Sequence, residues 1–123
     1  MVERLPADAE AKYNKYVKLR EMLVAISRER ASLEAMITEL EQVLEELEKL
    51  PDDAETYKLM GSILVRKSKE ELLKEHRERK EELEVRVKAL KNQEDALRKE
   101  VDKLARELQR ILAGVGKGGG TAG

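Results

Sequence analysis

Apolar residues recur along most of this chain at alternating steps of three and four, the period of a helix that buries one stripe. The first stripe reads Tyr16, Leu19, Leu23, Ile26, Arg30, Leu33, Ile37, Leu40, Leu44, Leu47. An a/d seam kept up for more than four heptads predicts a coiled-coil helix. Arg30 is its polar break. Beyond it Met36, Val43 and Leu50 add a flanking apolar row, so the seam widens toward Leu50. Asp8 is the expected N-cap, with Glu10 in the first turn. Pro51 closes the helix, because proline disfavours helical geometry at Leu50 and carries no amide hydrogen. The second stripe reads Leu73, His76, Lys80, Leu83, Val87, Leu90, Glu94, Leu97, Val101, Leu104, Leu108, Ile111. Ser68-Lys69-Glu70-Glu71 is a capping box that starts the second helix at Ser68.

Between the two stripes lies the run from Thr56 to Arg66, where the helical period stops. Strand formers stand on both sides of Gly61-Ser62, and the pattern predicts a β-hairpin. Two registers are open. A three-residue loop, Met60-Gly61-Ser62, puts Tyr57, Leu59, Ile63 and Val65 on one apolar face and Lys58, Leu64 and Arg66 on the other. A two-residue Gly61-Ser62 turn mixes the faces, so the cleaner amphipathic split favours the first. A lone two-stranded hairpin is marginal in water, and its apolar residues need surfaces from other subunits.

Each helix should span roughly 43 to 45 residues, or about 65 Å. A short hairpin between them requires an antiparallel arrangement. Aligning Leu47 with Leu73 brings Leu44 near His76, Leu33 near Val87 and Tyr16 near Leu104. It also brings Arg30 within one layer of Glu94, an opposite-charge pair expected to fix register at some cost in stability. The expected divisions are an N-terminal flexible tip (1–7), helix one (8–50), linker and oligomerisation hairpin (51–67), helix two (68–114) and a glycine-rich disordered tail (115–123). The fold class is mainly α.

Composition supports helical rods over a globule: 41% of residues are charged and 2% aromatic, all of the latter Tyr. The 25 Lys and Arg nearly balance 26 Asp and Glu, which leaves no domain-wide basic field for nucleic acid. Absent cysteine excludes disulfides and thiol chemistry. No apolar run approaches a membrane span, and Met1-Val2-Glu3-Arg4-Leu5-Pro6 lacks a signal-peptide core, so a cytoplasmic location is expected. The load of Glu, Lys and Arg leans toward a thermophilic source.

Candidate chemistry is sparse. His76, the one histidine, sits on a seam and is expected to pack there. Gly114-Val115-Gly116-Lys117-Gly118 has the look of a phosphate loop, but a helix precedes it and no helix follows. Carboxylates lie along solvated helix faces without a pocket to desolvate a pair. Neither catalysis nor a cofactor or metal is expected. Apolar residues at the open helix ends, including Leu5, Tyr13, Tyr16, Val17, Leu108, Ile111, Leu112 and Val115, divide between closing the seam and forming a sticky tip. Tyr13, Val17 and Leu112 fall outside the strict stripe and are the better tip candidates.

The segment Leu50-Pro51-Asp52-Asp53-Ala54-Glu55-Thr56-Tyr57-Lys58-Leu59-Met60-Gly61-Ser62-Ile63-Leu64-Val65-Arg66, with its capped returning helix, resembles the prefoldin beta subunits of archaea. That resemblance implies a hexamer of two alpha and four beta subunits, whose hairpins assemble into a β-barrel platform. Tyr57, Leu59, Met60, Ile63, Leu64 and Val65 would then be the oligomerisation residues. It also implies an ATP-independent holdase whose coiled-coil tips bind unfolded polypeptides and deliver them to a group II chaperonin. The client-binding tip would comprise Tyr13, Tyr16, Val17, Leu108, Leu112 and Val115. The alternative is a structural coiled-coil protein forming a homo-oligomer or filament through its hairpin.

Overall fold

The structure, a computed structural model, describes residues 6–120, with side chains for 6–114. Leu5 and the side chain of Val115 lie outside the described residues. Two long helices flank one hairpin: α1 (Ala7–Lys49), β1 (Tyr57–Met60), β2 (Ile63–Arg66) and α2 (Lys69–Gly120). The described residues group into two compact parts, one of residues 6–28 with 90–120 and one of residues 29–89.

Helix α1 starts two residues earlier than a cap at Asp8 would allow. The Pro6 carbonyl accepts the Glu10 amide at 2.9 Å, so Asp8 and Glu10 both fall in the first turn. There their charges complement the positive end of the helix dipole. The helix stops at Lys49, as proline at 51 requires, and the Leu50 amide turns back to the Leu47 carbonyl at 3.2 Å. Helix α2 is capped as the sequence implies, with the Glu71 amide donating to Ser68 Oγ at 3.1 Å. Its backbone stays helical to Gly120, six residues beyond the boundary expected at 114. Extending a formed helix adds one hydrogen bond per residue and needs no new nucleus, which is how glycines are carried along.

The part built from 6–28 and 90–120 packs the seams antiparallel. Leu90 is 1% exposed, and Val101, Leu104 and Leu108 are buried, with Tyr16, Leu19, Leu23 and Ile26 half-buried. Lys12 pairs with Glu107 at 3.3 Å and Lys15 with Glu100 at 3.8 Å, which matches the alignment of Tyr16 with Leu104.

In the part built from 29–89, Leu44, Leu47, Leu72, Leu83 and Val87 are buried. Arg86 to Glu29 at 3.0 Å and Arg77 to Glu48 at 2.8 Å set the same antiparallel sense. Leu72, which stands beside the seam residue Leu73, is the more buried of the two.

The hairpin corrects the preferred register. Tyr57 pairs with Arg66, Lys58 with Val65, Leu59 with Leu64 and Met60 with Ile63, so the loop is the two residues Gly61-Ser62. Gly61 has φ +61° and no other described residue has positive φ. Positive φ at the first loop position alone is the type II′ pattern, whose twist suits the strands and which glycine adopts without Cβ strain. One face therefore carries Tyr57, Leu59, Leu64 and Arg66, and the other Lys58, Met60, Ile63 and Val65.

Candidate functional site

Both faces of the hairpin are apolar, and little of either is covered. Leu59 and Leu64 are each 67% exposed and Ile63 61%, with Tyr57 and Met60 also exposed and Val65 half-buried. Each four-residue strand has one edge with no strand beside it among the described residues. Burying a leucine or isoleucine side chain is worth about 1.5–3 kcal/mol. A sheet this small, with six apolar side chains and two open edges, is built to be covered.

Its base, by contrast, is firmly held. Thr56 is buried, its hydroxyl donates to the Lys67 carbonyl, and the Lys67 amide returns to the Thr56 carbonyl at 3.0 Å. Two cations from the hairpin converge on one carboxylate of α2: Lys58 Nζ donates to Glu75 Oε2 at 3.0 Å, and Lys67 Nζ donates to Glu75 Oε1. Hydrogen bonds from Lys67 and then Lys58 hold the Glu75 carboxyl down to about 2, against its partial desolvation. Reciprocally, Glu75 raises Lys67. Lys69 Nζ donates to the carbonyls of Leu50 at 2.8 Å and Glu48 at 3.3 Å and reaches Asp52 at 3.3 Å. That arrangement satisfies carbonyls left open at the end of α1 and ties the exit of one helix to the entry of the other.

Glu75 and Lys69 were not singled out by sequence reasoning. Helix α2 carries Glu or Lys at most solvated positions, and nothing local marks the two that reach the hairpin and the α1 terminus. The one hint is Lys58, a cation in an otherwise apolar strand.

The helix-end residues divide by burial. Tyr13 and Leu112 are each 50% exposed, Tyr16, Val17 and Ile111 are half-buried, and Leu108 is buried at 8%. Leu108 therefore serves the seam, because a side chain packed between helices has no surface left to offer. Arg20 sits over the Tyr16 ring, 5.7 Å from its centroid, and donates to Tyr16 Oη at 3.4 Å. Tyr13, Tyr16, Val17, Arg20, Val24 and Arg28 line a shallow groove along α1.

Of the polar seam residues, His76 is half-buried with Nδ1 2.8 Å from the Leu72 carbonyl, an ordinary packed position. Arg30 is half-buried and donates to Glu34 Oε2 at 3.0 Å. Glu94 is 4% exposed. Arg30 belongs to one compact part and Glu94 to the other. Among the described residues no group of three His, Asp or Glu is placed to hold a metal ion, and no helix is long and apolar enough to cross a membrane.

A family model described as prefoldin subunit matches residues 10–114. The prefoldin subunit beta of Archaeoglobus fulgidus is 38% identical over 109 residues, covering 89% of this chain and 94% of the relative. That of Pyrococcus abyssi is 34% identical over 93 residues, covering 76% and 80%. The crystal structure of the prefoldin beta subunit from Thermococcus strain KS-1 superposes with a TM-score of 0.83 at 30% identity, covering 90% of this chain and 97% of that one.

Proposed function

Since the chain belongs to the prefoldin subunit family, we propose that it is the beta-type subunit of an ATP-independent holdase. The observation that carries this reading is the hairpin, with exposed Leu59, Leu64, Met60 and Ile63 on a firmly tethered base. Four such hairpins and those of two alpha-type subunits close into a β-barrel platform, which covers the apolar faces and removes the open edges. Near the start of α1 and the end of α2, Tyr13, Tyr16, Val17 and Leu112 offer apolar contacts to unfolded polypeptides. Each contact is weak, but several tips acting on one chain give avidity without sequence specificity. Release to a group II chaperonin then needs no nucleotide, because no single contact is strong. The complex works in the cytoplasm without cofactor, metal or catalytic residue.

Two measurements test this together. Native mass spectrometry of the chain mixed with an archaeal alpha-type prefoldin subunit should give a hexamer of two alpha and four beta chains. Open-ended homopolymers, or no binding to the alpha chain, would overturn the hexamer, the former in favour of a filament-forming structural protein. The hexamer should suppress aggregation of a chemically denatured client with no nucleotide present. Replacing Tyr13, Val17 and Leu112 together by Ser should weaken that suppression severalfold while leaving the mass unchanged. Full suppression by the triple variant would remove these residues from the client surface.

A further inference from the structure

Beside the seam of α1, a second stripe runs along residues 13–28. Tyr13, Val17 and Val24 fall on one helical face, and the same period adds Arg20 and Arg28 to it. Tyr13 is 50% and Val24 45% exposed. The stripe thus alternates apolar surface with two guanidinium groups, and Glu21 is the one carboxylate lining the groove.

These two arginines differ from the nearby cations Lys12 and Lys15. Lys12 and Lys15 are already paired with Glu107 and Glu100. Among the described residues no ion pair engages Arg20 or Arg28; Arg20 rests on the Tyr16 ring, which leaves its charge unneutralised. Charge is also divided unevenly between the two parts. Residues 6–28 and 90–114 hold eleven Lys and Arg against eight Asp and Glu, whereas residues 29–89 hold twelve against seventeen. The stripe therefore stands in a net positive field, and the hairpin part in a net negative one.

We infer that the Tyr13–Arg28 stripe of α1 is a docking surface for unfolded polypeptide segments in which aliphatic or aromatic side chains alternate with carboxylates. The inference rests on the holdase reading and adds a preference to it: apolar contact supplies the general affinity, and Arg20 and Arg28 rank clients by charge. Guanidinium suits this task, since it pairs with a carboxylate in a planar fork and also lies flat on aromatic faces. The net positive field favours an acidic segment over a basic one, and the Glu21 carboxylate offsets part of that preference, so the ranking is graded. An exposed ion pair contributes little singly, so the two together should give about a tenfold preference at low salt.

The test uses the assembled complex and three fluorescent, unstructured peptides of equal length and apolar content, with Glu, Ser or Lys at the polar positions. Fluorescence anisotropy at low salt should rank them Glu, Ser, Lys in affinity, with the spread collapsing in high salt. Arg20→Gln with Arg28→Gln should remove the ranking, and Arg20→Glu with Arg28→Glu should invert it, with helix content by circular dichroism unchanged. Equal affinity for all three peptides in the unaltered complex, or a ranking untouched by the Glu variant, overturns the inference while the holdase reading stands. If no peptide binds and aggregation is not suppressed, the holdase reading falls as well. A change in the mass of the complex on Arg20→Gln with Arg28→Gln would show a second copy of the chain on this stripe, which also overturns it.

Discussion

Glu75 fixes the hairpin to α2 with a single carboxylate that receives Lys58 from β1 and Lys67 from the strand exit. Its carboxyl is held at about 2 against an ordinary 4.5, first by the Lys67 hydrogen bond and then by that of Lys58. A carboxylate depressed on folding contributes stability that is present in full above its unfolded value and is lost as pH falls through its folded value. The window for Glu75 therefore runs from about 4.5 down to about 2. Lys67 works in the opposite direction: raised by Glu75, its contribution is complete below its ordinary 10.5 and lost at higher pH. The charges facing Glu75 are these two lysines, with Glu71 acting on Lys67 from the same helix. Thermal midpoints of the unaltered chain and of Glu75→Gln should differ by a constant amount between pH 5 and 9 and converge as pH falls from 4.5 to 2. A difference that persists undiminished at pH 2 would mean that Gln acts through packing and that the clasp is not electrostatic.

At the scale of elements, the heptad stripe of α2 translated directly into burial. Leu83, Val87, Leu90, Val101, Leu104 and Leu108 are all buried, because an a/d position leaves a long helix no choice of which face to turn inward. Leu90, at 1% exposure, should show this energetically: Leu90→Ala should cost about 2–5 kcal/mol. Val85, 71% exposed on the same helix, should change stability by no more than about 0.5 kcal/mol when replaced by Ser. Chemical denaturation of the two variants checks both, and similar losses from each would show that Val85 is covered in the native complex. The hairpin register was less legible for a definite reason. Choosing the split with the cleaner amphipathic faces assumes that one face meets water, whereas here Leu59 and Leu64 share one face and Met60 and Ile63 the other. The backbone of Gly61 decided the register, through a turn that accepts positive φ only at its first position. Glu75 and Lys69 were hidden for a different reason: on helices so rich in charge, a residue that reaches across the fold looks like its solvated neighbours. At the helix ends, leaving the strict stripe marked Tyr13 and Leu112, which are exposed, but also Val17, which is half-buried, while Leu108, a seam position, is buried.

For the whole molecule, the two hairpin faces are not equivalent. Lys58 and Val65 share a face with Met60 and Ile63, and Lys58 reaches Glu75, so this face turns toward α2. Leu59 and Leu64 pair directly across the strands on the face turned away, each with two thirds of its surface exposed. On the proposed assembly, that face is the one that hairpins of other subunits would cover. Covering the exposed two thirds of two leucines per protomer should contribute about 2–4 kcal/mol, which corresponds to at least about thirtyfold in the dissociation constant. The double variant Leu59→Lys with Leu64→Lys replaces that gain with two unpaired charges at the centre of the interface. On the proposed assembly with an alpha-type prefoldin subunit, sedimentation should then find a dissociated chain. Helix content should be retained, because neither leucine contributes to the seams. On the proposed holdase reading, aggregation suppression should fall along with assembly, since a single subunit would lose the avidity of several tips. If the variant still assembled, the platform would have to be held by the Met60 and Ile63 face, and the corresponding Met60→Lys with Ile63→Lys variant would then be the one to dissociate.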